Sequence, residues 1–287
     1  GAFPHNRSGD PLAGGTDEPG RAAPAPGERK RPPKNVVTPS QASDHPFEVD
    51  PTDHCETPFE AYKDIEPLLF QVALSLGKTK ETLKIYDPYF CEGSMVAHLN
   101  KLGFKHVYNK NEDFYKVIED GRVPEHDVVV TNPPYSLDHM ERILNFVSTN
   151  EGRPWLLCLP NFVYRKSYYG PALGIPEGLP TPAYLVPQAR YDYYSPGRGK
   201  HELFGPKVTS PFDSFWYLYL GKRARKICEW WQEKHGEAKG GPRLSLSEDD
   251  LPKSVRTEKR LNPKQRKKMV QKMKQGSWRR MHPDELE

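Results

Sequence analysis

Four consecutive residues, Asn132-Pro133-Pro134-Tyr135, stand directly after the apolar run Val128-Val129-Val130 and Thr131. Two prolines in a row fix the backbone and supply no N–H donors, so the carbonyls of this turn stay available as acceptors. The Asn132 side-chain oxygen and the Pro133 carbonyl then form a side-by-side pair. Such a pair suits a planar amino group, which has two hydrogens to donate. Accepting both draws the nitrogen lone pair out of conjugation and aims it for attack. Tyr135 adds a flat ring on which a planar substrate can stack, as aromatic side chains do for bases lifted out of a duplex. The same residue types also make ordinary strand-to-helix turns, so the surrounding sequence has to decide.

Two upstream stretches weigh in. Asp87-Pro88-Tyr89-Phe90-Cys91-Glu92-Gly93-Ser94 follows an apolar run and precedes a helical pattern, and Cys55-Glu56-Thr57-Pro58 precedes both. Thr57 also reads as a helix N-cap with Glu60 as its capping-box partner. Downstream, Phe162 and Phe212 suit either the core or substrate stacking. Trp230 and Trp231 read as packing residues, and Cys91 and Cys158 as small buried hydrophobes.

The elements that must hold these residues alternate between strand and helix. Apolar residues at 65, 68, 69, 72, 73 and 76 recur at helical spacing, and Gly77 stops the run. Strands are predicted at 83–86, 106–109, 127–131 and 155–159. Helices are predicted over 94–103 and 137–147. The 214–220 run is a strand by composition, and 223–235 a helix with Ile227, Trp230 and Trp231 inward. Residues 165–206, rich in Gly, Pro and Tyr, read as a long surface excursion. This alternation implies an α/β fold with an open, mostly parallel sheet and ligands at its carboxyl edge.

Composition divides the chain. Of 287 residues, 42 are Lys or Arg and 38 Asp or Glu, for a formal charge of +4. That excess sits at the end, since residues 253–280 hold twelve basic side chains and one acid. Nine prolines and six glycines in the first 46 residues, with few large apolar side chains, predict a disordered segment over 1–46. A folded domain is expected over 47–235 and a basic tail over 236–287. No stretch is long enough to span a bilayer, and no signal segment opens the chain. Four dispersed cysteines form neither a disulfide framework nor a zinc cluster. The histidines show no ligand spacing, so no metal is expected. These features point to a reducing intracellular compartment, nucleus or cytoplasm. The basic runs 28–34 and 264–274 suit nuclear import or phosphate binding as well as a solvated surface.

With those residues in place, a resemblance can be stated. The stretch from Asp127 to Tyr135 resembles the catalytic motif of S-adenosylmethionine-dependent amino methyltransferases. Asp87 to Ser94 is similar to that family's cofactor loop, Glu56-Thr57-Pro58 to the segment before it in adenine-N6 enzymes of the gamma order, and Ser210-Pro211-Phe212 to their late hairpin. The resemblance covers roughly residues 55–220. It implies a Rossmann-like seven-stranded sheet whose last strand is antiparallel, with S-adenosylmethionine as cofactor. Its cofactor-binding residues would be Thr57, Asp87, Tyr89, Phe90, Cys91, Gly93, Asn109, Glu112 and Asp113. Asn109, Glu112 and Asp113 compete for the ribose, with Glu112-Asp113-Phe114 the more like an adenine-contacting segment. Asn132, Pro133, Pro134 and Tyr135 would be catalytic and Phe162 and Phe212 substrate-binding.

The sequence departs from that pattern twice. The loop has one glycine, with Glu92 standing at a glycine position, and only 18 residues separate 109 from 128, too few for a full helix–strand–helix crossover. The expected substrate is an adenine N6 amine in RNA or DNA, with residues 165–206, the tail or a partner protein choosing the site. A glutamine amide, a guanine N2 amine, and a nucleic-acid-binding subunit with little turnover are the alternatives.

Overall fold

The structure, a computed structural model, describes residues 45–47, 55–173, 183–193, 212–236 and 240–257. The expectation of disorder over 1–46 falls outside these residues apart from His45 and Pro46, and both basic runs lie outside them entirely.

Seven strands form one sheet: β1 (Lys84–Tyr86), β2 (His106–Tyr108), β3 (Val128–Thr131), β4 (Trp155–Pro160), β5 (Ala183–Val186), β6 (Ser214–Tyr219) and β7 (Arg243–Ser245). Their order is β2-β1-β3-β4-β6-β5-β7. The first four are mutually parallel, and β6, β5 and β7 then alternate antiparallel. Helices cover both faces. α1 (Phe59–Ser75), α2 (Ser94–Lys101) and α6 (Ala224–His235) share one apolar cluster with Ile85, Val128 and Trp216. α3 (Phe114–Glu119), α4 (His139–Thr149) and α5 (Tyr169–Leu173) lie with the other, around Val129, Leu157 and Tyr217. Alternate residues of β3 thus enter opposite clusters, which is why the VVV run has no polar face.

The helices end where chemistry requires it. α1 turns at Gly77, whose φ is 70°, a conformation that costs glycine little. Asp113 caps α3 by accepting from the backbone of Tyr115 at 2.9 Å and Lys116 at 3.3 Å. The capping box weighed for Thr57 does not form, because Pro58 sits at the N-cap without a side-chain bond.

Two boundaries need correction. The excursion assigned to 165–206 contains α5 and β5, an apolar four-residue strand buried along its whole length. Its pairing partners lie far along the chain, so local sequence gave no sign of a hairpin. Nor does the fold stop at 235. β7 pairs with β5, and the chain then returns to the end of β4, where Asn161 Nδ2 donates to the Val255 carbonyl at 3.1 Å and the Thr257 N–H to Tyr164 Oη at 3.1 Å. The single antiparallel strand expected at the sheet's end is two, β6 and β7, with β5 between them. The short link before β3 holds one helix and no strand across residues 109–127, leaving β2 as an edge. Among the described residues no helix is long and apolar enough to cross a membrane.

Candidate active site

The chain runs from β1 outward to β2, then returns past β1 to β3 and β4. Strand order therefore reverses between β1 and β3, where open α/β sheets leave a crevice at their carboxyl ends. The Asp87 loop ends β1 and the Asn132 turn ends β3. They are joined directly, for Thr131 Oγ1 donates to Asp87 Oδ1, and the Tyr89 N–H donates to the same carboxylate oxygen at 3.1 Å. Asp87 is buried, and burial raises its carboxyl to about 7 against the lowering by these two donors.

Asn132 is half-buried and Pro133 buried. The Tyr135 hydroxyl donates to Asn132 Oδ1 at 2.8 Å. An amide oxygen has two lone pairs, so one remains the natural place for a second donor. The Tyr135 hydroxyl also lies 3.5 Å from Tyr193 Oη, which is bonded to Ser214 Oγ and stands 3.3 Å from Cys158 Sγ. Desolvation pushes both phenols and the Cys158 thiol up, the thiol to about 12, so all three stay neutral. This network fixes which way the Asn132 amide faces.

Tyr89 turns toward Phe114, ring centroids 5.1 Å apart, and its hydroxyl meets Tyr115 and the His139 carbonyl. Phe90 stands edge-on to His45, which stacks on Phe47 and bonds Asn111 at 2.8 Å. Gly93 needs to be glycine, since its φ is 83° and a Cβ there would stand 3.3 Å from the Phe90 ring. Gly93, Thr57, Ser94, Glu56, Glu92 and Asp192 border a cavity of about 370 Å³.

Of the ribose candidates past β2, Asn109 Nδ2 donates to the Asp87 and Tyr89 carbonyls at 3.3 and 3.2 Å, holding the loop in place. Asp113 is the α3 cap. Glu112 accepts from Tyr108 Oη at 2.7 Å and faces Arg122 at 3.5 Å.

Phe162 and Phe212 come together at the ends of β4 and β6, edge-to-face at 5.1 Å, with Lys166 over the Phe162 ring at 5.2 Å. Phe212 is 42% exposed, which excludes it from the core. Trp231 is buried against the sheet and Trp230 packs beside it. Among the described residues no cluster of His, Cys, Asp and Glu is placed to hold a metal.

Four residues of this neighbourhood received no role from sequence: Glu56, Thr131, Tyr193 and Ser214. Glu56 and Thr131 lie inside quoted motifs. Tyr193 belongs to the Tyr-rich run after β5, and only the pairing of β5 with β6 brings it to Tyr135. No family model, curated protein or solved structure matches the chain.

Proposed function

We propose that this protein transfers a methyl group from S-adenosylmethionine to an exocyclic amine, in first place adenine N6 in RNA or DNA. The observation that carries this reading is the joining of the Asp87 loop to the Asn132 turn at the point where strand order reverses. Residues fit for a cofactor and for a planar amine thus meet at one edge. The cavity beside Gly93, bordered by Glu56, Glu92 and Asp192, suits a ligand carrying positive charge. Thr57, Phe90 and Gly93 would hold the cofactor together with the segment past β2. When bound, S-adenosylmethionine supplies an electrophilic methyl group on a cationic sulfur.

The rest belongs to the chain. Asn132 Oδ1 and the Pro133 carbonyl accept the two amine hydrogens and direct the nitrogen lone pair at the methyl carbon. Positioning carries most of the rate. Methyl transfer would leave the amine nitrogen cationic, and the two acceptors would stabilise that charge. The extra proton then leaves to solvent. Phe162, Phe212 and Lys166, at the ends of β4 and β6, offer stacking and a cation, a combination that suits single-stranded nucleic acid. The basic residues beyond Thr257 add sequence-independent attraction to phosphate.

The test is transfer of labelled methyl to RNA, DNA and protein acceptors by the wild type and Asn132→Ala. We expect a nucleic-acid acceptor, and a loss on the order of 10²–10³-fold in the variant, with binding of S-adenosylhomocysteine retained. Native-rate transfer by Asn132→Ala would overturn the assignment.

A further inference from the structure

The loop between β1 and α2 has one glycine, and its backbone requires only one. Gly93 takes the left-handed conformation, whereas Glu92, standing where the related loops carry another glycine, has no positive φ. Glycine also gives room at backbone N–H groups. Here those groups meet a carboxylate from elsewhere in the chain. Glu56 Oε1 accepts from the Glu92 N–H at 2.6 Å and from the Ser94 N–H at 3.5 Å, and Oε2 accepts from Ser94 Oγ. The Cys91 thiol meets the same side chain, and burial together with Glu56 pushes its pKa up, so it remains a protonated donor. Both ends of this tie are rigid. Glu56 stands just before α1, whose Ala61, Ile65 and Leu68 are fully buried, and Ser94 opens α2, held by Met95 and Leu99.

We propose that Glu56 is the positioning residue of this loop: it holds residues 91–94 against the start of α1 and so shapes the cavity that takes the amino-acid end of S-adenosylmethionine. The inference rests on the methyltransferase reading and deepens it. A charge-assisted hydrogen bond does here what a run of glycines does in the related loops. Without it, a ligand must order the loop at its own cost. If the amino-acid end occupies the cavity beside residues 92–94, that cost would fall on it and spare the adenosine end.

Two probes separate these ends: S-adenosylhomocysteine, which carries the amino-acid group, and 5′-methylthioadenosine, which lacks it. Calorimetry on the full chain should show that Glu56→Ala weakens S-adenosylhomocysteine by roughly 10- to 100-fold, the range set by losing charge-assisted bonds, while 5′-methylthioadenosine binds as it does to wild type. Glu56→Gln keeps an oxygen for the Glu92 N–H and should recover most of the loss. Unchanged S-adenosylhomocysteine affinity in Glu56→Ala overturns the proposal. So does an equal loss of both probes with a matching fall in Tm, which would make Glu56 a general stabiliser. Wild type that binds neither probe overturns the cofactor reading itself, and this inference with it.

Discussion

The two halves of the sheet are built on different principles. In the parallel half, β2-β1-β3-β4, the turns at the strands' carboxyl ends carry Asn109, Asp87, Asn132 and Asn161. In the antiparallel half, β6-β5-β7, β6 is mostly aromatic and β5 adds Tyr184. Phe215 and Tyr217 stack at 5.0 Å, Tyr184 stands edge-on to both, and Trp216 Nε1 crosses to the Ala61 carbonyl of α1 at 3.1 Å. No recognisable motif ends a strand of this half. Yet Tyr193 and Ser214, which follow β5 and open β6, complete the hydrogen bonds around Tyr135 and through it fix Asn132. The acceptor pair proposed to bind the amine lies in one half, and part of its rigidity comes from the other.

Three substitutions probe that division, from the largest effect to the smallest. Trp216→Ala removes a fully buried ring and its bond to α1. It should cost about 3–5 kcal/mol of stability, read by denaturant unfolding. A cost below about 1 kcal/mol would mean that the antiparallel half does not brace α1. Asp87→Asn addresses the parallel half. Because burial raises the folded carboxyl to about 7 while the unfolded value is about 3.9, the native state binds a proton that the unfolded chain has released across this interval. The contribution of Asp87 to stability is therefore full below about pH 4 and lost as pH rises through about 7. The neutral Asn variant should match wild type near pH 4 and exceed it above pH 7 by on the order of 4 kcal/mol; parallel stability curves would refute this. Tyr193→Phe is the mildest change. It keeps the ring, removes the hydroxyl from Ser214, Cys158 and Tyr135, and should lower methyl transfer by roughly 5- to 10-fold with S-adenosylhomocysteine affinity intact. An unchanged rate would reduce the antiparallel half to a scaffold.

What could be read locally was read. The VVV run announced a strand buried on both faces, and the 18-residue link before it left no room for a further strand. Each signal lies within a few residues of the structure it specifies. β5 and β7 escaped for the opposite reason. The four residues Ala183–Val186 and the three residues Arg243–Ser245 are too short to show a period, and their stability comes from partners far along the chain. The boundary placed at 235 failed in the same way, since Gly, Pro and charge surround β7 while Asn161 and Tyr164 hold the residues after it.

The sequence by itself determined the alternation of strand and helix, the chemistry available in Asn132-Pro133-Pro134-Tyr135, and the concentration of positive charge near the end of the chain. Tertiary structure alone decided that Glu56 reaches the loop after β1, that Asp87 is tied to Thr131, and that the Tyr193 hydroxyl meets that of Tyr135. Hydrogen-bond partners separated by 36, 44 and 58 residues leave no local trace in composition or spacing, because they are chosen by which strands lie side by side.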